Sequence, residues 1–383
     1  MLRHRVSRRR PIVALNGLKL AEGKAHSLSG NYYHVQNLAV ALAKREDIRL
    51  LVFCDQDSHP PLLECLPTEC LRFKAIKRES VISADFAVAR LVRRENPDIY
   101  HRPTGQLPLF RIPCRTIASI ADIHFKVLPT PLLKRCYKEL SYRWTILRAD
   151  AITCVSEFTR QEVIQRLHVA PQRLTTILHG VNPLPPPSMV IAAGIRHPFW
   201  ITFGHQPRKN VETVVRSLAL GKNHGNARTD LVVVGASGHL AREVGPLASQ
   251  LGVREQVHFV GRIAGAELNG LYRNALGLVF MSYYEGFGLP ILEAMSSGCP
   301  VICSNVSSLP EVAGDAGVLL PPNDSEALAA VMKRWYEDPA ERSTYRERGL
   351  ARAKRFSWDS AADQTVEVYF RVLGLLQQSG VTP

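Results

Sequence analysis

Several patterns that identify common protein classes are missing from this sequence of 383 residues. No apolar run reaches the ~18 residues that a membrane-spanning helix needs. The basic start MLRHRVSRRR is not followed by the apolar region of a signal peptide. The eight cysteines form no Cys-x-x-Cys pair and no Cys/His spacing typical of a metal site. We therefore expect a cytoplasmic globular protein with buried free thiols and no bound metal.

Two further absences narrow the ligand class. No Gly-x-Gly-x-x-Gly string is present, which argues against a dinucleotide-dependent enzyme. No nucleic-acid-binding motif occurs, and the aromatic residues do not alternate with basic ones as base-stacking platforms do. We expect no nucleic acid partner.

Acidic residues are few relative to basic ones in the first half of the chain. Residues 1–185 carry 29 Lys and Arg against 16 Asp and Glu, so 13 of the net charge of +14 lie there. Such an excess of positive charge is typical of proteins with an anionic partner, and we expect that partner to be a membrane surface. The expected contacts are Arg3, Arg8 to Arg10, Lys134, Arg135 and Lys138. The alternative is that these charges only keep the protein in solution.

The length predicts two domains. Apolar strand-like runs alternate with amphipathic helical segments in both halves, which predicts an α/β fold with two doubly wound sheets. A proline-rich stretch at residues 182–198 indicates a linker. We expect domains at residues 1–185 and 186–360, followed by a C-terminal helix at residues 361–383.

The densest motif is EGFGLPILE, residues 285–293. An apolar run precedes it, so the pattern predicts a strand, a glycine-bearing loop and a helix that starts near Leu289. Pro290 suits the first helical turn, and the free N–H groups at a helix start can bind phosphate. Glu285 and Glu293 would accept hydrogen bonds from sugar and ribose hydroxyls, because phosphate repels carboxylates. The same spacing is also explained without a ligand, by an acidic residue that caps the helix and two glycines that form a turn.

The longer string EGFGLPILEAMSSGCPVI resembles the nucleotide-sugar signature of retaining glycosyltransferases of family 4, which have the GT-B fold. The resemblance implies two Rossmann-like domains that face each other across a cleft, with a C-terminal helix that crosses back to the first. It also implies that Glu285 acts at the transferred sugar. The donor-binding positions of the motif would be Gly286, Phe287, Gly288, Leu289 and Glu293.

The loop GHQPRKN, residues 204–210, resembles the diphosphate site of the same family. The resemblance implies that Gly204 contacts the donor and that Arg208 and Lys209 neutralise the departing diphosphate without a metal. Without the resemblance, an Arg-Lys pair in a loop is usually surface charge. Asp55-Gln-Asp57 matches the Asp-x-Asp motif of metal-dependent transferases, but the residues around it do not support that role.

Two segments of the first half resemble the family less closely. Gly30 is followed by Asn31 and two tyrosines, and this segment resembles the family loop that faces the sugar donor and the acceptor. A lone glycine before a helix can also be an ordinary turn residue. The segment TIASIADIH ends in Asp122, which the resemblance makes catalytic. Family members carry His-Asp at this point, where this chain has Ala121-Asp122. His124 either substitutes for the missing histidine or is an ordinary polar loop residue.

Residues 132–148 form an amphipathic helical pattern in which Leu133, Leu140 and Leu147 share one face with Cys136 and Trp144. We expect this apolar face to pack on the core and the basic residues to be solvated. Contact with a membrane surface is the alternative.

Together these features predict a metal-independent retaining hexosyltransferase that needs no cofactor besides its nucleotide diphosphate sugar. GDP-mannose is the expected donor and a UDP-hexose the alternative. The acceptor would be a glycan or polyprenyl-linked glycan of surface polysaccharide assembly, at the inner face of the plasma membrane. Two other functions remain open: a non-catalytic sugar-nucleotide binder, suggested by Ala121, and a binder of anionic polymers, suggested by charge.

Overall fold

The computed structural model of the protein describes residues 9–18, 30–55, 71–76, 81–188, 195, 198–204, 206–223, 228–235, 238–263 and 265–375. Arg3, Arg8 and Asp57, which were singled out above, lie outside these residues. The chain divides into two compact units. The first unit runs to Gly180 and resumes at Trp358, and the second unit is Val181–Ser357.

The first unit contains a parallel sheet of seven strands in the order β3-β2-β1-β4-β5-β6-β7. Its strands are β1 Ile12–Asn16, β2 Arg49–Asp55, β3 Leu71–Ile76, β4 Ile99–Arg102, β5 Arg115–Ile120, β6 Ala151–Cys154 and β7 Leu174–Thr176. Its described helices are α1 Gly30–Ala43, α2 Val81–Glu95, α3 Leu132–Arg148, α4 Glu157–Leu167 and, at the end of the chain, α12 Trp358–Val372.

The second unit contains a parallel sheet of six strands in the order β10-β9-β8-β11-β12-β13. Its strands are β8 Phe199–Phe203, β9 Asp230–Val234, β10 Val257–Phe259, β11 Gly277–Phe280, β12 Val301–Ser304 and β13 Gly317–Leu320. Its described helices are α5 Val211–Asn223, α6 Gly238–Gln250, α7 Gly265–Asn274, α8 Leu289–Ser296, α9 Leu309–Ala313, α10 Ser325–Glu337 and α11 Pro339–Ala353.

Both sheets have the strand order of a doubly wound fold, as predicted. Their strands are short apolar runs buried on both faces, as in β9, because helices cover each side of a parallel sheet. The order reverses between β1 and β4 in the first unit and between β8 and β11 in the second. Ligands of such sheets bind beyond the carboxyl ends of the strands at this reversal.

The proline-rich segment belongs to the second unit. The carbonyl of Pro185 accepts a hydrogen bond of 2.6 Å from the side chain of Asn269 on α7, and Ser188 N–H donates to Ala266 at 3.0 Å. The units therefore divide between Gly180 and Val181, whereas we expected the boundary after residue 185. Residues 189–194 and 196–197 of the predicted linker lie outside the described part.

Helix α12 packs in the first unit, where Trp358, Ala362 and Val366 share an apolar cluster with Leu38 and Leu42 of α1. The helix begins at Trp358, directly after Ser357, and so includes three residues that we expected to lie in the second domain. It places the end of the chain on the first sheet, as the family resemblance implies. Residues 376–383 lie outside the described part.

The expected packing of α3 is wrong. Its apolar face is exposed, with Leu133 87%, Leu140 69% and Leu147 79% accessible. The helix contacts the core through the opposite side, where Thr145 and Ile146 are buried. Among the described residues, no helix has the length and apolar character needed to cross a membrane. Four of the six described cysteines are buried: Cys54, Cys154, Cys299 and Cys303.

Candidate active site

The Arg208-Lys209 pair lies in a short 3-10 turn, Pro207–Lys209, directly after β8. Asn210 ends this turn in the left-handed region, with φ 54° and ψ 48°. Its side-chain amide donates to the carbonyl oxygens of Met281 at 3.1 Å and Pro322 at 2.7 Å. The turn is thus fastened to the segment that follows β11. Asn210 was noted within the motif, but its positioning contacts were not predicted.

Lys209 and Glu285 form a buried ion pair. Lys209 Nζ lies 2.7 Å from Glu285 Oε1, and only 4% and 8% of the two side chains are exposed. The ammonium also lies 4.5 Å from the centre of the Phe280 ring. The two residues are brought together because β8 and β11 are neighbours at the reversal of the second sheet.

The two charges influence each other's protonation. Burial lowers the pKa of Lys209, an effect that Glu285 opposes and Arg208 reinforces. Burial alone would raise the pKa of Glu285, but the positive charges of Lys209 and Arg208 outweigh it and hold that pKa below its ordinary value. Glu285 is therefore a carboxylate at neutral pH.

Arg208 is only partly buried, unlike its neighbour. Its guanidinium donates to the carbonyl oxygen of Tyr284 at 3.2 Å and to Oε1 of Gln206 at 2.6 Å. Its own carbonyl oxygen accepts from the N–H of Tyr283 at 2.9 Å. These contacts hold a bidentate cation beside the carboxylate of Glu285 while leaving part of it accessible.

The loop before α8 is supported by two serines that the sequence did not single out. Ser308 Oγ lies 3.0 Å from the carbonyl oxygen of Glu285 and 2.8 Å from that of Phe287, and its single O–H is shared between these two acceptors. Ser307 Oγ accepts from the N–H of Glu285 at 3.1 Å. Both serines follow β12, the next strand of the sheet, so their proximity depends on tertiary structure. The loop backbone is therefore held in one conformation.

Two glycines of the predicted site are required by their surroundings. Gly288 has φ +106°, and a Cβ there would lie 2.8 Å from Leu309 Cδ2. A Cβ on Gly204 would lie 2.3 Å from Leu240 Cδ2 and 2.6 Å from Val233 Cγ1. Gly288 sets the path of the loop, and Gly204 allows close packing at the end of β8.

Helix α8 begins at Leu289 with Pro290 in its first turn, which confirms the predicted helix start. Gly286 lies in the loop and is buried. The side chain of Phe287 is also buried, with its ring 6.2 Å from that of Phe356. Phe287 thus anchors the loop in the second unit.

Glu293 lies on α8 and keeps partial exposure. Burial raises its pKa to about 7, and a hydrogen bond from Tyr272 opposes the rise. Tyr272 is a fully buried residue of α7 whose hydroxyl also lies 3.3 Å from the carbonyl oxygen of Pro290. Glu293 is therefore close to half-ionised at neutral pH.

In the first unit, Asp122 lies just beyond the carboxyl end of β5 and is hydrogen-bonded to His124 Nδ1. Lys138 Nζ lies 3.3 Å from His124 Nε2, and Tyr142 donates its hydroxyl to the carbonyl oxygen of Asp122 at 3.0 Å. Because an ammonium can only donate, Nε2 is the acceptor and Nδ1 carries the proton that Asp122 accepts. His124 is thus a fixed partner of Asp122. Both side chains remain partly exposed.

Gly30 is the exposed first residue of α1. The loop that precedes it, residues 19–29, lies outside the described part.

A buried histidine cluster in the first unit was not predicted. The rings of His34 and His179 lie 4.2 Å apart, and His179 stacks on Trp358 at 5.3 Å. His101 bonds to the Tyr369 hydroxyl at 2.7 Å and to Ser119 Oγ at 2.9 Å. Burial lowers the pKa of His34 to about 4 and that of His101 to about 3, so both are neutral at physiological pH.

Comparison with known proteins gives two family matches. The model described as "Glycosyl transferases group 1" matches residues 204–352, which contain the Lys209–Glu285 pair. The model described as "Glycosyltransferase Family 4" matches residues 30–183, which contain Asp122.

Several relatives are mannosyltransferases by name. "O-antigen chain mannosyltransferase B" of Escherichia coli is 35% identical over 71% of this chain and 74% of its own length. "Serotype-specific mannosyltransferase WbdA" of the same organism is 28% identical over 72% of this chain, but this chain spans only 36% of that protein. "O-antigen chain mannosyltransferase RfbU" of Salmonella typhimurium is 23% identical over 66% of this chain and 69% of its own length.

Solved structures show the same fold. Sucrose-phosphate synthase from Thermosynechococcus elongatus superposes with a TM-score of 0.74 at 22% identity, covering 96% of this chain and 100% of that one. Anabaena HepE, solved with UDP and glucose, gives a TM-score of 0.72 at 18% identity, covering 94% of this chain and 100% of that one. The motif geometry, the two family models and the 35% identical relative lead to one conclusion: the chain belongs to the glycosyltransferases of family 4, which have the GT-B fold.

Proposed function

We propose that this glycosyltransferase moves mannose from GDP-mannose to a glycan acceptor, with retention of the anomeric configuration. The observation that carries the proposal is the buried Lys209–Glu285 pair beside Arg208, at the reversal of the second sheet. The names of the O-antigen mannosyltransferases support mannose as the transferred sugar.

Positive charge fixed at this point suits the departure of a diphosphate. The leaving group gains negative charge as the glycosidic bond breaks, and preorganised cations stabilise that charge most effectively where water is excluded. Arg208 can bind two phosphate oxygens, whereas Lys209 acts as a compact charge. These two cations take the place of a divalent metal in the proposal, which needs no cofactor besides the nucleotide sugar.

Glu285 has two roles in this proposal. It holds Lys209 in position before the donor binds, because a buried ammonium without a partner is strongly disfavoured. Its remaining acceptor capacity is available to hydroxyls of the transferred sugar. Glu293, one turn into α8, would accept from the ribose hydroxyls, and its ionised form is the stronger acceptor.

Asp122 and His124 are proposed to act at the reacting end of the donor. Asp122 orients the imidazole of His124, whose Nε2 can accept a hydrogen bond from a substrate hydroxyl once the Lys138 ammonium releases it. The imidazole would thereby take the place of the histidine that family members carry at position 121. In a retaining transfer without an enzyme nucleophile, the departing phosphate oxygen helps to deprotonate the acceptor.

The acceptor is proposed to be a growing surface polysaccharide, free or carried on a polyprenyl lipid, on the cytoplasmic side of the membrane. The names of the O-antigen relatives support this class. The excess of 13 positive charges in residues 1–185 suits an acceptor at an anionic surface.

A UDP-hexose is the second candidate donor, supported by the neighbour solved with UDP and glucose. Calorimetry with GDP-mannose, UDP-glucose and the bare nucleotides would rank the donors. Proton NMR of the product would then give its anomeric configuration. We expect the tightest binding for GDP-mannose, an α-linked product from the α-linked donor, and unchanged turnover in the presence of a chelator. Binding without transfer to any glycan would favour a non-catalytic sugar-nucleotide binder.

A further inference from the structure

Helix α3 presents an apolar stripe to solvent. The stripe, called the α3 face below, repeats every three or four residues and consists of Leu133, Cys136, Tyr137, Leu140, Trp144 and Leu147. All six side chains are exposed, although Trp144 only to 37%. An ordinary surface helix has the opposite arrangement, with its apolar stripe toward the core.

The apolar surface continues beyond the helix. Trp144 Nε1 donates to the carbonyl oxygen of Pro108 at 3.2 Å, which places the exposed side chains of Leu109 and Phe110 next to the C-terminal half of α3. The ring of exposed Phe86 lies 5.5 Å from that of Phe110. Extended apolar patches of this kind mark interaction surfaces.

The surroundings of the α3 face are positively charged. The helix carries five cations against one acid: Lys134, Arg135, Lys138, Arg143 and Arg148 against Glu139. That acid is already bonded to Lys126 at 2.6 Å and to Arg143 at 3.1 Å. Exposed Arg111 follows Phe110 directly. A partner for this surface must therefore be apolar at its centre and anionic at its rim.

We propose that the α3 face docks on an anionic lipid bilayer. The three outward leucines would enter the boundary between headgroups and acyl chains, and the cations beside them would contact lipid phosphates. Tyr137 and Trp144 are residue types that favour this boundary, because each has an apolar body and one polar group. Long Lys and Arg side chains can extend from a buried helix to the headgroups. This docking does not depend on the donor or on catalysis.

A second copy of the chain fits the surface less well. In a two-fold symmetric pair the same patch lies on both sides, so two α3 helices would bring their cationic rims together. Like charges at an interface oppose association. An anionic bilayer satisfies the apolar centre and the cationic rim at the same time.

The test uses the full chain and vesicles of phosphatidylcholine, with and without phosphatidylglycerol, and no sugar nucleotide. The other three tryptophans, Trp200, Trp335 and Trp358, are buried, so Trp144 reports on the surface. We expect co-sedimentation with the anionic vesicles and a blue shift of the emission. Trp144→Phe should remove most of the shift while keeping most of the binding.

The decisive variant is Leu133→Ser/Leu140→Ser, which keeps every cation and changes only exposed side chains. We expect its binding to anionic vesicles to be weaker by more than about tenfold, because the inserted apolar area is lost. Its circular dichroism and thermal midpoint should match the wild type. The matched control is Leu350→Ser, which changes an exposed leucine of α11 in the second unit and should bind like the wild type.

Three results would overturn the proposal. One is the absence of wild-type binding to anionic vesicles at low salt. Another is equal binding by the wild type and Leu133→Ser/Leu140→Ser, which would leave charge alone as the cause. The third is a concentration-dependent dimer in analytical ultracentrifugation that the double variant abolishes, which would assign the α3 face to contact between copies.

Discussion

Each unit has a pair of an acid and a base beyond the carboxyl end of a central strand, and the two pairs differ in almost every physical respect. Lys209 and Glu285 are buried, oppositely charged and supported by Arg208. Asp122 and His124 are partly exposed and lie two residues apart in the chain. The first pair joins distant segments through the fold, whereas the second is local.

The comparison suggests that the two pairs have different roles. A buried ion pair is costly to form but holds its charges at fixed positions, which suits a diphosphate that is anionic before and after the transfer. The imidazole of His124 is partly exposed while Asp122 fixes its orientation, which suits the end of the donor where bonds change. The following predictions test this contrast, from the largest expected effect to the smallest.

Lys209→Ala should have the largest effect. Loss of one charged donor at a developing oxyanion costs about 2.7–4 kcal/mol, or roughly 10²–10³ in kcat. Because Glu285 would remain buried without its partner, the variant should also unfold more easily. Lys209→Met/Glu285→Leu should recover stability without recovering turnover. The control is Arg216→Ala on the exposed side of α5, and near-normal transfer by Lys209→Ala would contradict the assignment.

As the pH is lowered, the first unit should be destabilised at a higher pH than the second. The pKa of His34 is lowered from 6.5 to about 4, so the unfolded chain takes up a proton that the folded chain does not. Stability is therefore complete above pH 6.5 and falls as the pH drops toward 4, by about 3 kcal/mol for this residue. Glu285 also favours folding less in acid, but only below its ordinary pKa of 4.5.

Hydrogen exchange followed by mass spectrometry at pH 7 and pH 5.5 resolves the two units. We expect peptides of the first unit to lose protection at pH 5.5 while those around β8 and β11 keep it. His34→Leu should reduce the difference. Equal loss of protection in both units would show that the histidine cluster does not determine the pH at which the protein is destabilised.

His124→Ala should lower kcat by about 10²-fold, within the range for loss of one acid–base group. Folding should be preserved because the side chain is partly exposed. Asp122→Asn keeps the shape but removes the charge that orients the ring, so it should also lower kcat. Gln165→Ala on the exposed side of α4 is the control. A wild-type rate for His124→Ala would make this histidine an ordinary loop residue.

Glu293→Gln should have the smallest effect, and only above neutrality. The pKa of Glu293 is about 7, so the wild-type affinity for nucleotide diphosphate should rise between pH 6 and pH 8 as the stronger acceptor forms. Calorimetry should show the variant about tenfold weaker at pH 8 and nearly equal at pH 6. The same pH dependence in both proteins would exclude Glu293 as its source.

The sequence predicted most of the fold because local patterns suffice for it. The β8 and β11 runs, the start of α8 at Leu289 and the two doubly wound sheets follow from periodicity and turn residues. The sequence could not predict the ion pair, because Lys209 and Glu285 are 76 positions apart and meet only through the pairing of β8 with β11. The support from Ser307 and Ser308 depends on tertiary structure in the same way.

The error on α3 has a different cause. Helical periodicity shows that Leu133, Leu140 and Leu147 share a face, but it does not show on which side the core lies. Tyr142, Thr145 and Ile146 form the packed side, and they too recur at helical spacing. Two candidate faces of one helix can be separated only when the surface that receives the helix is known.

The tight packing at Gly204 and Gly288 has a consequence for mutational tolerance. In a library of all single substitutions selected only for folded protein, both positions should be depleted of every other residue, because Leu240 and Leu309 occupy the space a Cβ needs. Arg208 should tolerate many replacements in that selection and few in a selection for sugar transfer. The contrast between the two libraries would separate residues that shape the donor loop from residues that act on the donor.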